Sequence, residues 1–433
     1  MLDSKWMGLV GFVVILGLAF LMSNNRKRIN YRLVISGLIL QFLLAVFVLK
    51  VPVGQELFRN LGTGITALLG CSDQGAGFVF GPLVTKPEKM QELFGPGADY
   101  IFAFRVIPTI IFVSSLVSIS YYLGIMQKVV QVVAKVVSVF MGASGAEALS
   151  NAGSVFVGQV EAQLLIKPYV PTMTKSELLA SMAGSMACVS GGVLAVYIGL
   201  GIKASYLLTA SIMAAPGALV IAKIMYPETE ESSTKGEVKI EVKKTNANVI
   251  DAAAHGASEG LRIGLNVVGM LIAFIALIAL FNGITGQVGL LMAKMGMSLS
   301  FVGLDVTNLK LADIFGALFA PVAFILGVPW ADATIVGRLM GEKIIINEFL
   351  AFTDLSAMLK DPVGHKQISE HAQCIATFAL CGFANLSSIA MQIGGIGEIA
   401  PSRREDLARL GVKALICGTM ASYLSATVAG LLS

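Results

Sequence analysis

Two acid-bearing stretches, Val157-Gly-Gln-Val-Glu161-Ala162 and Gly327-Val-Pro-Trp-Ala-Asp332-Ala333, interrupt apolar runs that otherwise have the composition of membrane spans. An ionisable side chain at bilayer depth costs about 2.5–3.5 kcal/mol on insertion scales, so it faces a cavity, a partner or a bound solute instead of lipid. The breakers beside each acid leave backbone N–H and C=O groups without helical partners, which hydrocarbon does not tolerate unless protein or a wet cavity covers them. Both stretches are therefore expected inside the protein. Broken helices at matched places in two halves of a chain point to a transport site.

The rest of the chain agrees. Of 433 residues, 56% are hydrophobic and 13% charged, far outside the range of ordinary soluble domains. Apolar segments at about 7–23, 33–51, 101–124, 178–200, 205–226, 262–283, 373–396 and 410–432 each approach the length that crosses hydrocarbon, giving about eight spans. The net charge of +4 leaves no nucleic-acid surface. The cations instead gather in Arg26 to Arg32, Lys128 and Lys135, Lys235 to Lys244, and Arg403, Arg404 and Arg409. By the positive-inside rule these segments are cytoplasmic and both termini lie outside. The first apolar run precedes the Arg26-Lys27-Arg28 cluster, the reverse of a cleavable signal, and reads as a retained span.

Regions 139–166 and 312–352 do not fit as single spans and read as two re-entrant helical hairpins entering from opposite sides, each inside one copy of an inverted repeat. The expected organisation is residues 1–100 as early spans, an interfacial helix and an external loop; 101–226 as the first repeat; 227–250 as a cytoplasmic polar linker; and 251–433 as the second repeat. The fold class is an all-α polytopic membrane protein.

Glu161 has a donor and acceptor beside it in Gln159, and a neutral ligand with several hydroxyl or amide groups suits such a tip. A salt bridge with Lys167 is the structural alternative. Pro329 explains a helix break before Asp332, which could also be an N-cap. The runs Ser185-Met-Ala-Cys188-Val-Ser190 and Cys381-Gly-Phe-Ala-Asn385-Leu-Ser-Ser388 interrupt spans with small polar residues, which either pack helices or line a site. Arg105 and Glu348 are further intramembrane charges that neutralise each other or Asp332. Cys71, Cys188, Cys374, Cys381 and Cys417 show no paired spacing, and His255, His365 and His371 no zinc spacing. No enzyme motif, and no cofactor, is expected.

Taken together, Gly158-Gln-Val-Glu161-Ala, Leu165-Ile-Lys-Pro168-Tyr, Met213-Ala-Ala-Pro-Gly217, Ile346-Asn-Glu-Phe349 and Cys381-Gly-Phe-Ala-Asn-Leu-Ser-Ser388 strongly resemble the concentrative nucleoside transporter family, in its bacterial members, over almost the whole chain. The resemblance implies a homotrimer in the cytoplasmic membrane, with a static scaffold and a transport domain that moves as an elevator. It places the nucleoside between the hairpin tips and two broken helices, with Gly158, Gln159, Val160, Glu161 and Val193 facing the base and Asp332, Phe383, Asn385 and Ser388 holding the ribose.

Val160 stands where the family usually has a hydroxyl or amide residue, and Asp332 where Glu usually follows the Pro-Trp pair. In sodium-coupled relatives an Asn stands at the position of Ser154 and a Ser or Thr at that of Cys188, joined by carbonyls near Val157 and Val189. A thiol is a poor ligand for a hard cation. The sodium site therefore looks degraded, and the co-transported ion is H+ in preference to Na+, carried by Glu161 or Asp332. The rival reading is a nucleoside-gated sensor, or a homologue that keeps the fold without moving solute.

Overall fold

The computed structural model describes residues 4–95, 101–234, 246–297, 304–360 and 368–433. The basic part of the linker, Lys235 to Lys244, and His365 lie outside them. Two apolar helices, α1 (Ser4–Leu21) and α2 (Tyr31–Leu49), come first. The stretch expected to hold an interfacial helix and a loop forms α3 (Pro52–Phe80), α4 (Pro82–Thr85) and α5 (Pro87–Phe94). A proline in the first turn starts each, where its missing N–H costs no hydrogen bond.

Seven elements follow: α6 (Phe102–Tyr122), α7 (Ile125–Met141), α8 (Gly145–Ser154), α9 (Glu161–Leu164), α10 (Lys175–Ala187), α11 (Gly191–Gly199) and α12 (Ala204–Met225). Their order recurs in α13 (Val249–Lys294), α14 (Leu311–Ile325), α15 (Trp330–Ile345), α16 (Glu348–Lys360), α17 (Glu370–Leu380), α18 (Leu386–Ile399) and α19 (Arg404–Leu432). Each set has a long span, a helix, two helices separated by a break, a broken span and a closing span. Among the described residues, six helices are long and apolar enough to cross a membrane: α2, α6, α10 with α11, α12, α13 and α19. The other two expected spans are α1 and the broken pair α17 and α18.

Burial divides these helices. The apolar windows of α10–α11, α12 and α19 are 78–89% buried, whereas those of α6 and α13 are 11% and 17% buried. Helices α6 and α13 pair with each other through Gly256, Gly260 and Gly264, one per turn, where added Cβ atoms would strike Ser114, Ile111 and Ile107. Small residues at this spacing let two backbones approach closely. The rest of both helices turns apolar surface outward.

The two ends of the bundle are distinguishable. At one, Asn24 N–H donates to the Met225 carbonyl, Arg403 donates to the carbonyls of Val170, Pro171 and Met173, and Gly145 N–H donates to the Thr234 carbonyl. Two of the sequence's cationic clusters, those of Arg26 and Arg403, therefore lie around the ends of α1, α12 and α18. At the other end, Lys203 pairs with Glu370 at 3.1 Å and His371 lies between Ser433 Oγ and the Gly327 carbonyl. Helix α8 starts at the first end and α15 at the second.

This corrects the second hairpin. The turn at Gly327–Pro329, where α14 and α15 bend through 118°, belongs to the His371 end and is not an interior tip. The element that returns α15 to that end is α16, whose Ser356 Oγ reaches the Leu200 carbonyl at 2.6 Å. The interior break is therefore Ile346–Asn347, inside the 312–352 region but about fourteen helical rises past Asp332, on the order of 20 Å along α15.

Candidate functional site

Four breaks interrupt the helices at depth: 155–160, 188–190, 346–347 and 381–385. Each has a local cause. Gly158 lies within the first; Ser190 closes the second and two glycines follow it. Asn347 Oδ1 accepts from Leu350 N–H at 2.9 Å and so starts α16, and Asn385 Oδ1 accepts from Ser388 N–H at 2.9 Å and so starts α18. Gly382 has φ +151°, and a Cβ there would lie 2.7 Å from the Ala187 carbonyl oxygen, so the chain passes only because no side chain is present.

Three hydrogen bonds stitch the breaks together. Gly191 N–H donates to the Phe156 carbonyl at 3.1 Å, Phe383 N–H to the Cys188 carbonyl at 3.2 Å, and Asn385 Nδ2 to Glu348 Oε2 at 3.2 Å. Backbone groups orphaned by one break are thus paired by the next, which removes part of the cost of unwinding helices away from water.

On the first-repeat side, the Glu161 carboxylate folds back into the space that a Cβ on Gly158 would fill. Tyr121 of α6 lies within electrostatic reach of it. Gln159 Nε2 approaches Met391 Sδ at 3.5 Å, while its Oε1 is buried with no protein partner. Val160 packs on Gly395 of α18, and Val193 opens α11 half-buried.

On the second-repeat side the acid is Glu348. It accepts from Tyr197 Oη at 3.2 Å as well as from Asn385, and Phe352 stacks on Tyr197 with ring centroids 4.3 Å apart. Phe383 is half-buried, and Ser388 Oγ donates to the Phe383 carbonyl and lies 3.1 Å from Asn385 Oδ1.

Asp332 is elsewhere. Its Oδ2 accepts from the N–H and Oγ of Ser369 at 3.1 and 2.8 Å, so it ties the start of α15 to the start of α17 at the His371 end. A carboxylate in a first turn finds its donors at a neighbouring helix N-terminus, and helix α15 then separates it from the breaks. The structure does not bring Asp332 to Glu161, Asn385 or Ser388. Arg105 is also outside: it donates to the Val84 carbonyl at 2.9 Å and faces Asp73 at 3.9 Å, away from both Glu348 and Asp332.

The candidate sodium ligands divide as well. Ser154 Oγ lies 2.9 Å from Ser185 Oγ and donates to the Ser150 carbonyl at 2.8 Å. The Cys188 thiol points at the Ser211 carbonyl, 3.8 Å away, on α12. Gln163 closes a ladder between α8, α9 and α10, donating to Ser150 and Ser185 at 3.1 and 2.8 Å and accepting from Ser181 at 2.6 Å. The Val157 N–H bonds to the Gly153 carbonyl, and Val189 is fully buried beside the second break.

These features meet in known proteins. Family models described as sodium-dependent nucleoside transporter N-terminus and C-terminus match residues 10–83 and 206–430, and one described as nucleoside recognition matches 103–204. The nucleoside permease NupC of Helicobacter pylori is 41% identical over 100% of this chain and 98% of its own. The mouse sodium/nucleoside cotransporter 1 is 38% identical over 98% of this chain and 63% of its own. The transporter CNTnw in an inward-facing, substrate-bound state superposes with a TM-score of 0.90 at 42% identity, covering 99% of this chain and 98% of that one. A variant of CNTnw in an outward-facing state gives 0.90 over 99% and 97%. Matched in sequence and in backbone over almost its whole length, the chain belongs to the concentrative, sodium-dependent nucleoside transporter family, in its bacterial branch.

Proposed function

We propose that the chain imports nucleosides across the cytoplasmic membrane by cation symport, binding the solute where the four breaks meet. The base lies against Gly158, Gln159, Val160, Glu161 and Val193. The ribose lies against Phe383, Asn385, Ser388 and Glu348, the last in the part the sequence reading gave to Asp332. The observation that carries this is the Glu348–Asn385 hydrogen bond, which joins an acid and an amide from two different breaks at a point where sugar hydroxyls find an acceptor and a donor. Gln159 Oε1, buried without a partner, supplies the matching acceptor for a base edge.

Helices α8 and α15 start at opposite ends of the bundle and return through α9 and α16, which supports re-entrant hairpins of inverted orientation. The sparse burial of α6 and α13, against the dense packing of α10, α12, α17 and α19, supports a scaffold distinct from a moving transport domain, with the outer apolar faces meeting lipid and two further copies in a homotrimer. Motion of that domain as an elevator exchanges access between the two sides. CNTnw, solved in inward-facing and outward-facing forms, is the comparison for such a change. The end that holds Arg26, Arg403 and Lys175 is the cytoplasmic one, and both termini are external.

The coupling ion in this reading is a proton. Ser154 is satisfied by Ser185 and the Ser150 carbonyl, and a thiol stands in place of an oxygen ligand at Cys188, so a hard cation gains little there. Glu161, with no ion pair among the described residues, is the carrier; Asp332 falls out of this role with its position. The experiment is uptake into liposomes with sodium and pH gradients imposed independently, for the native chain, Glu161→Gln and Glu348→Gln. Uptake driven by the pH gradient alone and lost in both variants is the expected result. Full uptake in both refutes the site, and uptake driven only by sodium refutes the ion.

A further inference from the structure

Lys343 is fully buried at the end of α15, five residues before Glu348. Its Nζ donates to the Ala379 carbonyl at 2.7 Å, at the last turn of α17, and lies 5.9 Å from the Tyr423 ring centroid on α19. An ammonium group in this position has lost its hydration, and one carbonyl at a helix C-terminus with one aromatic face returns only part of it. A second, opposite charge is the usual reason such a lysine is tolerated.

Glu348, five residues further along the chain and buried beside the same broken span, is the acid within electrostatic reach of Lys343, although the two form no direct ion pair. Asn385 has its carbonyl oxygen committed to the start of α18, to Ser388 N–H at 2.9 Å and Ser387 Oγ at 2.7 Å, so only its NH2 group can face Glu348. Tyr197 presents its hydroxyl to the other oxygen. Asn385 can only donate to Oε2 and the Tyr197 hydroxyl can donate to Oε1, so the carboxyl group has donors available at both oxygens. The other groups facing it are Cys381 from α17, within electrostatic reach, and Lys343 itself. Lys343 is the single cation among them.

We propose that Lys343 is the positioning residue of the sugar end of the site: a fixed internal countercation that keeps Glu348 an acceptor, so that a sugar hydroxyl can donate to it without any transported ion being needed there. This rests on the binding-site reading above. Its consequence is a division of labour. Solute recognition at the second hairpin is independent of the coupling ion, and ion dependence belongs to the first hairpin.

Without Lys343 an uncompensated buried carboxylate takes up a proton and turns from acceptor to donor. The test measures uridine and adenosine binding calorimetrically, with purified full-length protein, between pH 6 and pH 9, and reads the ratio of variant to native Kd at each pH so that any native pH dependence cancels. For Lys343→Met the ratio is expected to be about tenfold or more at pH 6 and to fall toward unity by pH 9. Lys343→Arg keeps the ratio near unity throughout. In Glu348→Gln binding is weaker by a pH-independent ratio, and Lys343→Met adds no slope on top of it. A Lys343→Met ratio that is flat with pH, or a slope that survives in the double variant, overturns the proposal while leaving the site standing. Native-like binding by Glu348→Gln overturns both. Thermal unfolding gives a second reading that does not need Lys343→Met to bind: the double variant should melt above Lys343→Met, because the stranded acid is gone, and a double that melts below both singles refutes the pairing.

Discussion

Glu348→Gln and Asp332→Asn form a matched pair that separates two accounts of the site. Burial does not separate them, since Asp332 is 7% exposed and Glu348 5%. Partners do. A glutamine at 348 still offers one oxygen to Asn385 or Tyr197, so the local fold persists, but the charge-assisted hydrogen bond to a sugar hydroxyl is gone. Such bonds are worth about 1.5–3 kcal/mol, or about 10- to 150-fold in affinity. Asparagine at 332 keeps an acceptor for Ser369, so nucleoside affinity should change by less than about threefold and stability by about 0.5–1.5 kcal/mol. The assay is equilibrium binding of a radiolabelled nucleoside to purified protein, paired with a thermal melt to show that each variant is folded. The opposite pattern, with Asp332→Asn losing binding and Glu348→Gln retaining it, would refute the reasoning from the Glu348–Asn385 contact.

Three other outcomes follow from single contacts. Gly382→Ala forces a Cβ to 2.7 Å from the Ala187 carbonyl and 2.9 Å from Ser422 Oγ at a φ of +151°, and should cost about 1–3 kcal/mol, seen as a lower melting midpoint. Lys223→Met strands Glu147, now 2.7 Å from Lys223 Nζ with side-chain exposures of 3% and 5%; the expected loss is about 3–5 kcal/mol, recovered in part by adding Glu147→Gln. Ser154→Asn breaks the contact with Ser185 and adds an amide oxygen beside the first break, so sodium should begin to stimulate uptake in liposomes held at equal pH; no sodium response would show that Ser154 is not what sets the ion preference.

Much of this arrangement was legible in the residues. Apolar length located the six helices that are long and apolar enough to cross a membrane among the described residues, and glycine with serine or asparagine marks the breaks at 188–190 and 381–385, because those residues leave a chemical trace of an interrupted helix. The break between α8 and α9 is legible for the same reason, at Gly158. The second hairpin was misplaced because Gly327 and Pro329 are stronger breakers on paper than Ile346-Asn347, which contains neither glycine nor proline. A cap alone, Asn347 Oδ1 on Leu350 N–H, starts α16 there. The available signal was an asparagine directly before Glu-Phe-Leu-Ala in an apolar run, a weak N-cap pattern that becomes decisive only once α15 and α16 are seen to reverse direction. Pro329 breaks a helix too, but at the molecule's edge, where Asp332 serves Ser369. Sequence gives the existence of a break; depth in the membrane comes from packing.

The buried polar residues then sort by whether their hydrogen bonds close. Ser150, Ser154, Ser181, Ser185 and Gln163 pair with one another and with backbone carbonyls, and such a satisfied ladder holds α8 against α10 and offers a solute nothing. At the first break the count does not close: Gln159 Oε1 is buried with no protein partner, and Glu161 beside it is exposed. A buried acceptor left unpaired costs about 1–3 kcal/mol, and a protein keeps that cost where a ligand's donors remove it. That acceptor stands at the first break, whereas Glu348, beside the break at 346–347, is already held by Tyr197 and Asn385. In the proposed site the two halves are therefore unequal despite their shared element order: the first keeps an unpaired acceptor for a ligand, and the second is prearranged and supplies orientation.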